Sequence, residues 1–373
     1  MNKIDVLTMK LLHYFITELN YKPIIVHGLD NEIWLENMDM DIKIVRINMK
    51  YVHNMEQLNF DTFKVIKLLK QIKLKTLTFN MKVLSFYLDL NDEIKLTDDK
   101  NLIRVKIKNE KSFNSKNVNK YFPDISKKLV FNEKGEELLR KINTDILIKN
   151  NEETRKINDI FSVKKPIITC FIIFIMTILM FLMSIFGKGS MDVETLYNFG
   201  ALVKNGNILR TIISTFLHIG IIHYVINIWA IYTIGKTVES FYGRLKFLII
   251  FLFSGIISNL LTMLFISETE IYAGSTGALF GLMGSLLYFS YNQKTYMAEA
   301  LKKQILPVII LNLVIGAILP GISLIAYIGG IISGILISNA VGIKYKTSKT
   351  EKINGSICSI ILLLILIYIN YFN

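Results

Sequence analysis

The chain has 373 residues, 52% of them hydrophobic and 20% charged, with a formal net charge of +13. That balance is too apolar for an ordinary soluble protein. The lysines and arginines form no compact stripe with interleaved aromatics, which excludes nucleic acid as the expected partner. Residues 1–165 are rich in Lys, Asp, Glu and Asn, while 166–373 hold nearly all the long apolar runs. The shift predicts a soluble N-terminal domain over 1–160, a membrane domain over 161–343, and a linker with a last membrane helix over 344–373. Cys170 and Cys358 lie inside apolar runs and read as packing residues. The start, MNKIDVLTMKLLHYF, is too short and too charged in its apolar part for a signal peptide.

In the first domain a helix is expected over 4–19, then short strands around PIIVHG, NEIWLEN and IKIVRIN. A helix over 55–73 and strands at MKVLSFYLDL and LIRVKIK follow, because apolar and polar residues alternate there. LVFNEKGEELLRKINTDIL reads as a helix leading towards the membrane. The sum is a small α+β domain without a recognisable nucleotide or metal motif. His13, His27 and His53 are far apart and read as solvated surface, so neither a metal nor another cofactor is expected.

From 166 onward the apolar runs predict seven helices, near 166–186, 213–235, 246–265, 276–291, 305–319, 323–343 and 355–372. A span needs about 20 apolar residues. The fourth is short, so the chain before it is expected to enter the membrane as a loop buried against protein. Lysines and arginines alternate across the connections. Lys164 and Lys165, then Lys236, Arg244 and Lys246, then Lys294, Lys302 and Lys303 mark one side, while ISETE and PGIS carry none. The positive-inside rule puts the N-terminal domain in the cytoplasm and the C-terminus outside, in a multi-pass protein of the cell membrane.

On this orientation the second, fourth and sixth helices start at a similar depth. The second carries His218, His223 and Asn227, the last two on one helix face. Ser275 and Thr276 open the fourth, and Tyr327 lies in the sixth. Gly277 with Gly281, and Gly330 with Gly334, give spacings that let two backbones approach closely. Such packing brings Thr276 and Tyr327 near one another. Histidines and an asparagine inside a span are costly and are either functional or paired.

These residues resemble the rhomboid family of intramembrane serine proteases. The resemblance is carried by FLHIGIIHYVIN, VESFYG with Glu239, AGSTGALFGL with Gly274, AYIGGIISG, and the first loop NFGALVKNGNILR with Arg210. It covers about 166–343 and points to the bacterial branch with a cytoplasmic domain in front. It implies a six-helix core, here with a seventh helix added. It also implies a serine nucleophile in a Gly-x-Ser-Gly turn, a histidine base in an Ala-His-x-Gly-Gly pattern, and an oxyanion hole that falls on His223 and Asn227. His218 falls on a histidine that braces the first loop.

The catalytic positions depart from that pattern. With Gly274 and Gly277 aligned on the turn, the nucleophile position is Thr276 and Ser275 takes the variable one. With Ala326, Gly329 and Gly330 aligned, the base position is Tyr327. Leu209 stands where a tryptophan is usual. A hydroxyl nucleophile needs a base with a pKa near the working pH; histidine lies at about 6.5, tyrosine near 10. Loss of a triad histidine costs about 10⁶ in turnover. Ser275 with His218 or His223 is a route to rescue, but one helical step turns a side chain about 100° away from the centre. The expected picture is Thr276 hydrogen-bonded to Tyr327, in a non-cleaving protein that binds membrane lipids and transmembrane segments of clients. A further partner is expected for the cytoplasmic domain. An active intramembrane endopeptidase is the alternative. A transporter is disfavoured, because no charge lies deep in a span.

Overall fold

The computed structural model describes all residues except 1, 27–29, 77, 79, 100, 319–322 and 373, and the side chain of Lys75. The chain divides into two compact units, Met1–Arg155 and Lys156–Asn373.

The first unit begins with α1 (Lys3–His13), which Tyr14–Glu18 extends by a wider turn. Strands β1 (Lys22–Ile24), β2 (Glu32–Glu36) and β3 (Ile42–Asn48) follow, then α2 (Met55–Thr76), β4 (Lys82–Tyr87) and β5 (Leu102–Lys106). The sheet runs in sequence order, antiparallel from β1 to β3 and parallel from β3 to β5. The parallel pairing of β3 with β4 needs a crossover, which α2 supplies.

Alternation along the strands sends Leu35, Val45, Leu84 and Val105 to one core with α1. Trp34, Ile44, Val83 and Leu102 go to the other, against Val65 and Leu69 of α2. Short helices α3 (Lys116–Tyr121) and α4 (Ile125–Lys128) close the first core. The long α5 (Gly135–Phe161) then leads into the second unit.

The α2 face is also tied by charge. Arg46, fully buried on β3, donates to Glu32 (2.8 Å) and to both oxygens of Asp61 (2.7 and 2.5 Å). Tyr87 also donates to Asp61 (2.7 Å) and Lys64 to Glu32 (2.9 Å). One histidine differs from expectation. His13 is not solvated surface: it meets Asp145 at 2.9 Å and packs its ring edgewise on Phe131. The cause is α5, which passes α1 and leaves the pair half-buried. His53 stays exposed beside Tyr51, and His27 lies outside the described residues.

The second unit holds α6 (Ile167–Ile185), α7 (Val193–Asn198), α8 (Ile208–Ile213), α9 (Ile221–Tyr242), α10 (Arg244–Phe265) and α11 (Thr276–Asn292). After these come α12 (Lys294–Ala300), a wide turn at Leu301–Ile305, α13 (Leu306–Ile318), α14 (Leu324–Val341) and α15 (Lys349–Tyr371). Among the described residues five stretches are long and apolar enough to cross a membrane: α6, α10, Lys294–Ile318, α14 and α15. The 17-residue α11 is buried along nearly its whole length, so protein rather than lipid surrounds it.

The expected second helix, 213–235, starts later. Gly220 breaks the run at φ +77°, so His218 lies in the turn before α9 and the helix continues to Tyr242. An apolar run hides such a break, because only a glycine takes that backbone angle without strain.

Candidate functional site

The N-terminus of α11 is positioned from both sides. Before it, Tyr272 pairs with Leu202 of the first loop through two backbone hydrogen bonds (2.8 and 2.9 Å), and the Gly274 amide donates to the Ser214 carbonyl (3.0 Å). Gly274 takes φ +152° and packs against the His223 ring, where a Cβ would stand 2.8 Å from Cε1. Beyond it, Gly330 and Gly334 of α14 seat on the carbonyls of Gly277 and Gly281, while Ser258 and Ser254 of α10 fill the other side of those glycines. Ser258 also donates to the Ala326 carbonyl (2.9 Å), tying α10 to α14 at the level of the site.

Two hydroxyls and two imidazoles meet there. Ser275 is fully buried; its hydroxyl donates to Asn227 Oδ1 (3.2 Å) and lies 3.0 Å from His218 Nε2. A serine has one hydrogen. The single hydrogen can therefore serve either Asn227 Oδ1 or His218 Nε2, and which it serves follows the imidazole tautomer. Asn227 returns one amide hydrogen to the His223 carbonyl at 2.9 Å. Thr276 is partly exposed, and its hydroxyl lies 3.4 Å from His223 Nε2, at the long limit of a hydrogen bond.

Two expectations are corrected by this geometry. Thr276 does not pair with Tyr327. The phenol ring lies flat on Phe280, centroids 4.0 Å apart and 13° from parallel, because α14 passes one turn further along α11. Nor does Ser275 point away from the imidazoles. It is the N-cap of α11, with backbone angles of −79° and 5°, so the helical step from Thr276 does not apply. His218 accordingly meets Ser275, and its ring lies 5.3 Å from that of His223.

Arg210 stacks on Tyr197 (4.3 Å) and donates to the Tyr197 and Ala201 carbonyls (2.9 and 2.8 Å), which folds the first loop onto α8. Glu239 is buried and caps α6, accepting from the Ile168 and Thr169 amides (3.0 and 2.8 Å) and the Thr169 hydroxyl (2.7 Å). A carboxylate there offsets the free amides and dipole of the helix start.

Sequence reading passed over Asn259. Its buried amide donates to the Thr211 carbonyl (2.7 Å), Ser214 Oγ (2.9 Å) and Thr215 Oγ1 (3.0 Å), holding α8 and the following turn on α10. The signal was available: SNLLT is a polar interruption inside an apolar run, and a buried amide must find partners. Among the described residues no group of His, Cys, Asp and Glu is arranged to hold a metal ion.

Part of the chain is similar to known proteins. A model of the rhomboid domain matches residues 205–344. Rhomboid protease GluP of Bacillus subtilis (strain 168) is 33% identical over 175 residues, 46% of this chain and 34% of that protein. Rhomboid-like protease 2 of Toxoplasma gondii is 33% identical over 95 residues, covering 24% of this chain and 34% of that protein. Inactive RHOMBOID-like protein 8 of Arabidopsis thaliana is 34% identical over 87 residues, covering 23% and 24%. The chain thus spans about a third or less of these relatives.

Proposed function

We propose that this chain, which belongs to the rhomboid family through its membrane unit, binds transmembrane segments of client proteins without cutting them. The relatives' names include both proteases and an inactive protein, so the choice rests on the site itself. The observation that carries it is the state of the proton acceptors. Tyr327 stands where the family keeps its base, and its ring is committed to Phe280. The 3.0 Å contact of His218 with Ser275 sits in a fully buried knot that also ties the serine hydroxyl to Asn227. A nucleophile must reach substrate and water, and Ser275 reaches neither. On this reading a client helix would enter between α9 and α13, where the family resemblance puts the gate. The protein would lie in the cell membrane with its N-terminal unit in the cytoplasm, as the lysine-bearing connections suggest.

One observation favours a second reading. Thr276 is reachable and His223 Nε2 is 3.4 Å from its hydroxyl, so a threonine nucleophile with His223 as base is the competing arrangement. It takes away an imidazole that the family uses to stabilise the oxyanion, and it asks a β-branched alcohol to attack from a crowded turn. The test is reconstitution into vesicles with a transmembrane substrate, a fluorophosphonate probe, and a photocrosslinker on the α9 surface at Val225. The expected outcome is crosslinked full-length client, no cut product and no labelling. Cut product that disappears in Thr276→Ala would establish the second reading instead.

A further inference from the structure

The outer face of α2 has no cover in the first unit. Leu58, Val65 and Leu69 face the sheet, whereas Phe60, Phe63, Ile66 and Leu74 are 74%, 67%, 49% and 61% exposed. At 100° per residue these four fall in one arc, with Lys67 and Lys70 among them and Lys64 and Lys73 on its margins. Lys64 answers Glu32, but no carboxylate among the described residues pairs with Lys67, Lys70 or Lys73. Glu56, in the first turn, falls on the same arc and is the one acid of α2 that does. Two exposed phenylalanines one turn apart, set among unpaired lysines, are the chemistry of a helix lying in a lipid interface.

We propose that α2 docks on an anionic bilayer surface, laying Phe60, Phe63 and Leu74 at the headgroup boundary with its lysines on lipid phosphates. Three features select lipid as the occupant. The charge is complementary, since juxtamembrane lysines are attracted to anionic headgroups. The same chain enters the membrane at Ile167, immediately after Lys164 and Lys165, which keeps the unit at high local concentration beside a bilayer. At the end of the face a groove of about 390 Å³ is lined by Ile66, Leu69 and Leu102 together with Lys70, Lys73, Asp99 and Asn101. A lining that combines apolar side chains with two lysines suits a phosphodiester headgroup with its glycerol backbone. Asp99, also at the groove, is held by Arg104 at 2.8 Å and so does not neutralise those amines.

The experiment uses the full chain in nanodiscs, with Cys170 and Cys358 replaced by serine. A nitrobenzoxadiazole label is placed at Phe63→Cys, or at Glu93→Cys as an exposed control outside α2. In discs containing phosphatidylglycerol the label at 63 is expected to shift to the blue and to be quenched by brominated acyl chains. In pure phosphatidylcholine it is expected to stay water-like, and the label at 93 in both. Each lysine near an anionic surface contributes about fivefold to partitioning. Lys67→Glu with Lys70→Glu is therefore expected to lower the docked-to-free ratio at least 20-fold, as extra salt also would in part. A label at 63 that is water-like in both lipids overturns the proposal. So does one equally shielded in neutral detergent, which would assign the face to a protein contact. Quenching that survives the charge reversal overturns it as well.

Discussion

Ser275 and Thr276 are neighbours in sequence, and the structure gives them opposite surroundings. Ser275 is buried between an imidazole and an amide, while Thr276 is partly exposed and makes one long contact. Removing a buried partner leaves the others unsatisfied at a cost of about 1–3 kcal/mol each. Ser275→Ala is therefore expected to lower the thermal midpoint in detergent clearly, because it strands both His218 Nε2 and Asn227 Oδ1. Thr276→Ala frees only a half-exposed imidazole and is expected to change it little. Equal effects would mean that the buried knot contributes nothing to stability. The residue types of this site were legible in the sequence, and so was the meeting of the histidine stretch with the start of α11, but Tyr327 does not join them. The pairing was not: it depends on Ser275 being a cap rather than a helical residue, and on a φ of +77° at Gly220 that places His218 outside α9. Neither angle leaves a trace in hydropathy.

At the scale of elements, the apolar runs predicted α6, α10, α14 and α15 well, since a lipid-spanning helix must satisfy all its backbone groups internally. The close approach of α11 and α14 was suggested by glycine spacing. Gly330 and Gly334 lie on the backbone of α11 with no room for a side chain. A methyl added at Gly334 must push α14 off Gly281. Overpacking of this kind costs typically about 1–3 kcal/mol. Gly334→Ala is expected to lower the detergent unfolding midpoint, whereas Ile332→Ala, at a side chain 49% exposed on the opposite face, is expected to leave it nearly unchanged. The cap on α6 was less legible. Glu239 was singled out only through a resemblance, because its partners lie about 70 residues earlier in the chain. Spacing within a helix carries no information about so distant a contact.

At the scale of the molecule, the two units are held by different forces, and acid should separate them. The first unit centres on Arg46, Glu32, Asp61 and Lys64. Burial by itself would raise the Glu32 carboxyl, but hydrogen bonds and charge from Arg46, with help from Lys64 and Trp34, bring it down from 4.5 to about 2. A carboxyl whose folded pKa is depressed adds stability above its unfolded value and loses it as pH falls towards the folded one. The window here is from about 4.5 down to about 2, and the amount is on the order of 3 kcal/mol. The second unit rests mainly on apolar burial and on backbone hydrogen bonds in lipid, with the Glu239 cap on α6 and the Asp159–Lys344 pair as smaller, acid-sensitive ties. The chain has 2 tryptophans, one in each unit, and the Trp34 indole donates directly to Glu32 at 3.1 Å. In full-length protein with Trp229→Phe, Trp34 emission is expected to report loss of the sheet unit within that window. In the Trp34→Phe chain, Trp229 emission is expected to stay constant over the same range. Glu32→Gln should weaken the first unit at neutral pH and flatten its acid transition. An unchanged transition in that variant would show that the stability of the sheet unit does not depend on the charge held by Arg46.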